Sequence, residues 1–502
     1  MPAQWFTMAD VPPANRPVGL PDTLSAWRTL RGWGAMLALA AGLTVASGGR
    51  PVLFAVPGLV FVVAIVAAPL LGLVLTVITH IIWLLGAFAP GGIGLLALSK
   101  VFTGLTFVAW LHAALRDHDA LTYAPHMVAL AVFVLIVLLG PVLTPAFEDS
   151  VIGIGKYAMM VLPYFLVANL ATSRRAVRVT VIAILGAASL AALLALVEYF
   201  LPGIDLNFGE GIGLGAHFEG GSLDGGLAIK RVTGGIGDAN WFSYTMATAL
   251  PLCLYGFLAF RSIWIRLLAI GMALLFSVGI VLSYTRTPLF GLAGAIVFLV
   301  WKRRIPLLPV MLLAAVLGTT APVWLPTGFL DRFFSEKYMR EGSTPMRREI
   351  FGMAVDLISK QPVFGHGYQQ FGPQFIKNSR TEMGEEWERR DADGSEPAHL
   401  LRAHNLYLDV WVMHGLVGLL PLVLMFLLLL RELNQMAGAG PPEEAELAVA
   451  LMASLISFYL CGMGGHSQEL KIFWVIAGLA AGLRRVVFGR SSGSGGALKA
   501  WV

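Results

Sequence analysis

Charge is scarce in this 502-residue chain: only 13% of positions are Asp, Glu, Lys or Arg, against roughly 25% in an average soluble domain. That scarcity excludes a soluble reading, because a chain this long divides into roughly three domains whose polar surfaces it cannot supply. Cysteine is nearly absent. Cys253 and Cys461 both lie in apolar runs, which excludes a disulfide framework and a thiolate metal site. A basic face is missing as well: the formal charge of +5 is spread over short loops, so nucleic-acid binding is excluded despite a pI near 9.2. What remains is hydrophobic. Apolar residues fill 57% of the chain, the mean hydropathy is +0.75, and apolar runs recur almost from end to end, which excludes a single-span receptor.

These properties predict an all-α polytopic membrane protein with about 12–14 transmembrane helices and a large, partly helical external loop, since each crossing needs roughly 20 apolar residues. The expected spans are 33–48, 52–67, 69–88, 93–115, 127–147, 151–170, 177–201, 241–260, 267–283, 288–301, 305–325, 405–430, 447–464 and 471–488. The run from Val52 to Phe88 carries no charge and is divided at Pro69 because it is too long for one crossing. Lysine and arginine then set the orientation. With a cytoplasmic N-terminus, one side collects Arg16, Arg28, Arg31, Arg116, Arg174, Arg175, Arg178, Arg261, Arg266, Lys302, Arg303, Arg304, Arg431, Arg484, Arg485 and Arg490; the other keeps only Arg50, Lys156, Lys230, Arg231, Arg286 and Lys471 in its short loops and span ends. Both termini are expected in the cytoplasm. The expected organisation is a cytoplasmic segment 1–32, membrane helices 33–201, a first external loop 202–240, helices 241–325, a large external loop 326–404, helices 405–488 and a Ser/Gly-rich tail 489–502. A loop as long as 326–404 exceeds what a connection needs, and such loops are usually functional.

Several polar positions on the external side invite chemistry. In the large loop, Thr344 is a natural N-cap with Pro345 at the first helical position. Met346, Ile350, Met353, Ala354, Leu357 and Ile358 follow at helical spacing, and Gln361-Pro362 ends the pattern. Arg347 and Arg348 occupy the first turn, the wrong sign for the helix dipole, so they are either solvated or facing an anion. The first loop ends in Arg231-Val232-Thr233-Gly234-Gly235-Ile236-Gly237-Asp238-Ala239-Asn240, where Asp238 or Asn240 caps the next helix. Arg286, in the short turn Ser283-Tyr284-Thr285-Arg286-Thr287-Pro288, is either an interfacial arginine reaching water or a charge held for an anion. His404 opens the span at 405–430; a helix N-terminus disfavours imidazolium, so a neutral ring there can accept a proton or simply hold a hydrogen bond. His366, between Gly365 and Gly367, reads as part of a tight turn, and His217, His399 and His466 read as ordinary polar side chains. The acidic run from Glu382 to Glu396 lacks calcium-loop spacing and reads as a solvated face.

Four of these segments, in this order, resemble the O-antigen ligase and polysaccharide polymerase superfamily of bacterial inner membranes: Arg231 to Asn240, Ser283-Tyr284-Thr285-Arg286, the Arg347 helix running into Pro362-Val363-Phe364-Gly365-His366-Gly367-Tyr368, and His404-Asn405-Leu406-Tyr407-Leu408 followed by Gly415-Leu416-Val417-Gly418. The resemblance covers roughly 180–430. It implies a glycosyltransferase, metal-independent and inverting, with no cofactor, that moves a glycan from an undecaprenyl-pyrophosphate donor to an acceptor hydroxyl on lipid A–core, or to a carrier-linked glycan if the protein is a polymerase. On that resemblance His404 is the catalytic base, Arg231 and Arg286 hold the pyrophosphate, and Arg347 or Arg348 assists. Partners are then the lipid-linked donor, the acceptor and membrane lipids. The competing class is a transporter or flippase, for which Lys100, Lys156, Glu198, Asp409 and His80 are intramembrane candidates. Neither an internal repeat nor paired broken helices support that class.

Overall fold

The computed structural model describes residues 51–83, 97–117, 121–201, 222–224, 227–229, 231–325, 343–394 and 397–489. The expected span 33–48 and most of the first external loop lie outside them. By chain contacts the protein divides into residues 1–72 and 73–502. The described part of the first unit is helix α1 (Pro51–Ala67) and the start of α2 (Pro69–Ile81), separated at Ala68.

Among its described residues the second unit is mainly helical, with one antiparallel pair of three-residue strands, β1 (Ser222–Asp224) and β2 (Leu227–Ile229). Its helices are α3 (Leu98–Asp117), α4 (His126–Leu143), α5 (Phe147–Leu170), α6 (Arg174–Phe200), α7 (Ala239–Ala259), α8 (Ile263–Leu282), α9 (Thr287–Trp301), α10 (Leu307–Trp324), α11 (Ser343–Lys360), α12 (Phe371–Asn378), α13 (Glu382–Ala392), α14 (Leu406–Ala439), α15 (Pro442–Cys461) and α16 (Lys471–Phe488). Each expected span from 52–67 onward overlaps one helix from α1 to α10 or α14 to α16, with 84–88 and 93–96 lying outside the described residues. Among the described residues eight helices are long and apolar enough to cross a membrane; the pair broken at Ala68 is a further candidate and α9 is shorter. Aliphatic side chains such as Leu135, Leu138, Val142, Ile182, Leu268, Leu274, Val297 and Leu420 face outward. Water would penalise such a surface and a bilayer does not.

Small residues let the inner helices close up. A Cβ on Gly291 of α9 would lie 2.6 Å from the Cys461 sulfur and 2.7 Å from the Ser457 carbonyl of α15, and one on Gly478 of α16 would lie 2.4 Å from the Tyr164 carbonyl of α5. Backbones that approach this closely are typical of membrane helix contacts. Helix α6 spans 27 residues, a rise of about 40 Å. At its start Arg174 and Arg178 pair with Glu444 and Glu443 of α15, and Arg304 pairs with Glu446 nearby. At its other end Glu198 meets the segment that leads into α7.

The large loop folds on itself. Ile350, Ala354, Leu357, Phe371, Phe375, Trp387, Leu401, Ala403 and Val412 form one apolar cluster, so the stripe read from the sequence is the face α11 buries. Helix α11 begins at Ser343 and includes Thr344, which therefore lies inside the helix instead of capping it. Helix α14 is not the straight span expected. Gly415 stands at φ 66, ψ −171 inside it, and the segment Pro362–Gly367 enters the break. Leu416 and Val417 donate their amides to the carbonyls of Pro362 and Val363 (2.9 and 3.2 Å), while His366 and Gly367 donate to Val412 and Met413 (2.7 and 3.0 Å). The glycine flanks of His366 are needed here: Gly365 and Gly367 both have positive φ. The loop is thus stitched into the helix that carries His404.

Gly415 is the hinge of that junction, since a Cβ there would lie 1.9 Å from the Val363 carbonyl oxygen. Gly415→Val adds this clash to a left-handed backbone that alone costs about 1–2 kcal/mol. The thermal midpoint of the detergent-solubilised protein should fall by several degrees, whereas Gly104→Ala, at an open position, should leave it unchanged.

Candidate active site

One end of the bundle gathers the loops singled out by sequence. The Arg231–Asn240 segment is fixed from both sides. Asp238 caps α7 by accepting the Trp241 amide at 2.7 Å, and its burial, partly offset by that bond and by the Arg231 charge, raises its pKa. Gly234 turns at φ +57, and a Cβ there would lie 2.4 Å from the Ala191 carbonyl of α6. Buried Glu198 of α6 accepts the amides of Thr233 at 2.9 Å and Gly234 at 3.0 Å. Neither a snorkelling side chain nor a transport site describes it; Glu198 is a loop anchor.

Arg231 reaches the neighbouring turn. Its guanidinium donates to the Ser283 carbonyl, the Asn240 side-chain oxygen and the Thr285 hydroxyl, each at 3.0 Å. Tyr284, at φ 52, reverses the chain sharply, so that Arg286 stands at the N-cap position of α9, partly exposed. Thr287 packs on the loop between α15 and α16, where a Cβ on Gly464 would lie 2.4 Å from its hydroxyl.

His404 sits between two clamps. Arg402, fully enclosed, donates to both Asp409 oxygens (2.6–3.2 Å) and to Glu469 at 3.0 Å. Asp409 also accepts the Ala403 amide at 3.2 Å and the Gln468 side chain. On the other side Asn405 caps α14, accepting the amides of Tyr407 and Leu408, and donates to the Met463 carbonyl at 3.0 Å. Between these clamps His404 takes a left-handed backbone, φ 48, an arrangement that costs energy and persists only where its surroundings over-determine it. Its ring lies edge-on to that of His466, 5.5 Å between centroids. No hydrogen bond joins its nitrogens to a described residue. Burial comes first, then the nearby His466, Arg347 and Arg402 charges, in pushing its pKa down to about 3. Burial and Arg402 likewise push His466 to about 4. Arg402 itself stays charged, because Asp409 and Glu469 more than offset its burial.

Arg347 lies within electrostatic range of His404 and is partly buried, whereas Arg348 is exposed. Of the two arginines, the first faces the cluster. Arg286 stands at the N-cap of α9, Arg231 reaches Asn240 in the first turn of α7, and Arg347 lies one turn inside α11, so cationic side chains gather near positive helix ends. An anion is the natural complement of such a place. Among the described residues no group of three His, Cys, Asp or Glu side chains is placed to hold a metal.

The structure brings Arg231, Arg286, Arg347 and His404 to one end of the bundle. Sequence reasoning missed Arg402 and Gln468, singled out Glu198 and Asp409 only as intramembrane candidates for a transporter, and took His466 for an ordinary polar side chain although it abuts His404. The spacing Arg402-x-His404 and His404-x4-Asp409 was the available signal. His399 is exposed, His366 is buried with its Nε2 on the Leu357 carbonyl at 2.9 Å, and His217 lies outside the described residues.

Residues 270–423 match the family model described as O-antigen ligase. Over that stretch the chain is similar to the O-antigen ligase family. The match contains Arg286, Arg347, Arg402, His404 and Asp409; Arg231, Glu198 and His466 lie outside it. No curated protein matches the chain significantly. The similarity and the apolar helices together fit a multi-pass membrane protein.

The Glu198 anchor is testable by itself. Glu198→Ala strands two buried amides, a cost of roughly 1–3 kcal/mol each, and frees the segment carrying Arg231. We expect a lower thermal midpoint and weaker binding of undecaprenyl pyrophosphate, with Glu198→Gln intermediate. Equal binding by wild type and Glu198→Ala would contradict the anchoring role.

Proposed function

We propose that this protein is an O-antigen ligase: a glycosyltransferase of the bacterial inner membrane that moves a glycan from an undecaprenyl-pyrophosphate carrier to an acceptor hydroxyl of lipid A–core. The observation that carries the reading is the gathering of Arg231, Arg286 and Arg347 near the starts of three helices, at the end of the bundle that holds His404. Similarity to the family model suggests the substrate class. The site then faces the periplasm and both termini the cytoplasm.

The chemistry follows from charge. Breaking the bond between the anomeric carbon and phosphate leaves negative charge on the pyrophosphate. Guanidinium groups fixed beforehand in a water-poor place stabilise that charge as it grows. The acceptor oxygen forms the new bond to the same carbon, and its proton passes to His404 and then to water. One displacement inverts the anomeric centre, and with the arginines bearing the leaving group no metal enters the step.

A base with a pKa of about 3 is weak towards an ordinary hydroxyl. Two features answer this. The hydroxyl becomes acidic once its oxygen has begun to bond to the sugar, and the incoming pyrophosphate offsets the Arg347 and Arg402 charges that depress His404. Donor binding therefore raises the His404 pKa towards its ordinary value. In the free protein the ring is neutral throughout the physiological range. Because its folded pKa is lowered, His404 contributes stability above pH 6.5 that is lost as pH falls towards 3.

Gene deletion with complementation tests the reading. Loss of long glycan from lipid A, with carrier-linked polymer accumulating, is the expected phenotype. It should persist with His404→Ala, which inserts normally but transfers nothing, and in part with Arg286→Ala, which weakens donor use. Accumulation of single repeat units would indicate a polymerase instead; an unchanged glycan pattern would defeat both assignments. The acid limb of kcat/KM, which reports the free protein, should lie well below pH 6.5 if His404 is the base.

A further inference from the structure

Four rings stand in a row across this end of the bundle. Trp83, just beyond α2, is 5.6 Å from Trp241, the third residue of α7. Trp241 is 5.8 Å from His466, and His466 is 5.5 Å from His404. All four are partly exposed. The row starts at the arginines, because Trp241 follows Asn240, which accepts from Arg231, and it ends at the base.

The row is built with little slack. Gly237, at φ +86, passes so close beneath Trp83 that a Cβ would lie 3.0 Å from its ring. The segment carrying His466 lies flat on Tyr244: a Cβ on Gly465 would lie 2.6 Å from that ring, and the Tyr244 hydroxyl donates to the Gly464 carbonyl at 3.1 Å. The Lys471 ammonium sits 4.7 Å from the centroid of Trp83. Against this ordered background the segment 466–468 leaves buried polar atoms unsatisfied, Ser467 Oγ and Gln468 Oε1 among them. The Nδ1 atom of His466 is buried and has no hydrogen-bond partner.

Aromatic faces interleaved with imidazoles suit a ligand with an apolar face and a hydroxylated edge. A lipid chain has no use for the imidazoles, and a phosphate has none for the indoles. A pyranose ring offers both, its axial C–H groups to an indole face and its hydroxyls to an imidazole nitrogen. In the proposed transfer the sugar bearing the anomeric carbon lies between the pyrophosphate and the base, which is where this row runs.

We propose that Trp83, Trp241 and His466 form a sugar-binding subsite that seats the reacting pyranose of the donor, its apolar face on Trp241 and a ring hydroxyl on Nδ1 of His466. The assignment rests on the lipid-linked donor proposed above and adds to it the residues that hold the sugar.

Two lipids separate the two claims. Full-length protein in nanodiscs is titrated with carrier-linked glycan extracted from host membranes and with bare undecaprenyl pyrophosphate. Wild type should bind the glycan-bearing lipid at least tenfold more tightly. Trp241→Ala and His466→Ala should each erase most of that difference and leave bare-lipid binding unchanged, while Trp241→Phe and His466→Gln should keep much of it. If Trp241→Ala fails to insert, the His466 pair carries the test. Equal wild-type affinity for both lipids would overturn the sugar subsite and leave the pyrophosphate reading standing. Equal loss for both lipids in the His466 variants would also overturn it, by reducing the row to a packing role. Binding of neither lipid by wild type would defeat the donor assignment and the subsite with it.

Discussion

The Arg402–Asp409 ion pair is the constraint on which the rest of the site depends. It joins the end of the large loop to the first turns of α14, and through Glu469 and Gln468 it adds the connection between α15 and α16. Tyr368 extends it by donating to Glu469 at 3.0 Å. A buried ion pair is poor evidence of net stability, yet losing one partner strands the other charge at a cost of roughly 3–5 kcal/mol. Its value here is geometric. It ties together three segments distant in sequence, around Tyr368, 402–409 and 468–469, and the same junction holds His404 and His466 ring to ring.

The same constraint explains why His404 tolerates a left-handed backbone and a depressed pKa. Each is unfavourable in isolation. Together they give a ring that is neutral, oriented and without a protein partner, ready for a hydroxyl. Burial is the first cause of its weakness as a base in the free protein, and the Arg347 and Arg402 charges add to it. A pyrophosphate bound as proposed would offset that cationic part and couple donor binding to base strength.

Much of this was legible in the sequence, and for definite reasons. Helix placement follows from apolar run length, which the bilayer dictates, so α3 to α10 fall close to their expected positions. The α11 stripe was readable because its apolar residues recur at helical spacing, and Arg231, Arg286, Arg347 and His404 stood out as polar residues at apolar borders. What escaped notice depends on contacts between distant segments. Nothing local distinguishes Glu198 or Asp409 from a snorkelling acid at a span end, and only the fold shows them buried and accepting backbone amides. His466 looked ordinary because its partner lies 62 residues earlier in the chain. The break at Gly415 was hidden because its cause, the entry of Pro362–Gly367, comes from another part of the loop.

The central claim is that this end of the bundle holds a pyrophosphate at the arginines and presents the attached sugar to His404. Its most direct test is a cryo-EM structure of the full-length protein in nanodiscs with the carrier-linked donor bound, using His404→Ala to prevent turnover. We expect phosphate density against Arg231 and Arg286, with the first sugar directed towards position 404 and the lipid tail leaving between helices. Phosphate density elsewhere, or a donor whose sugar points away from His404, would contradict the account.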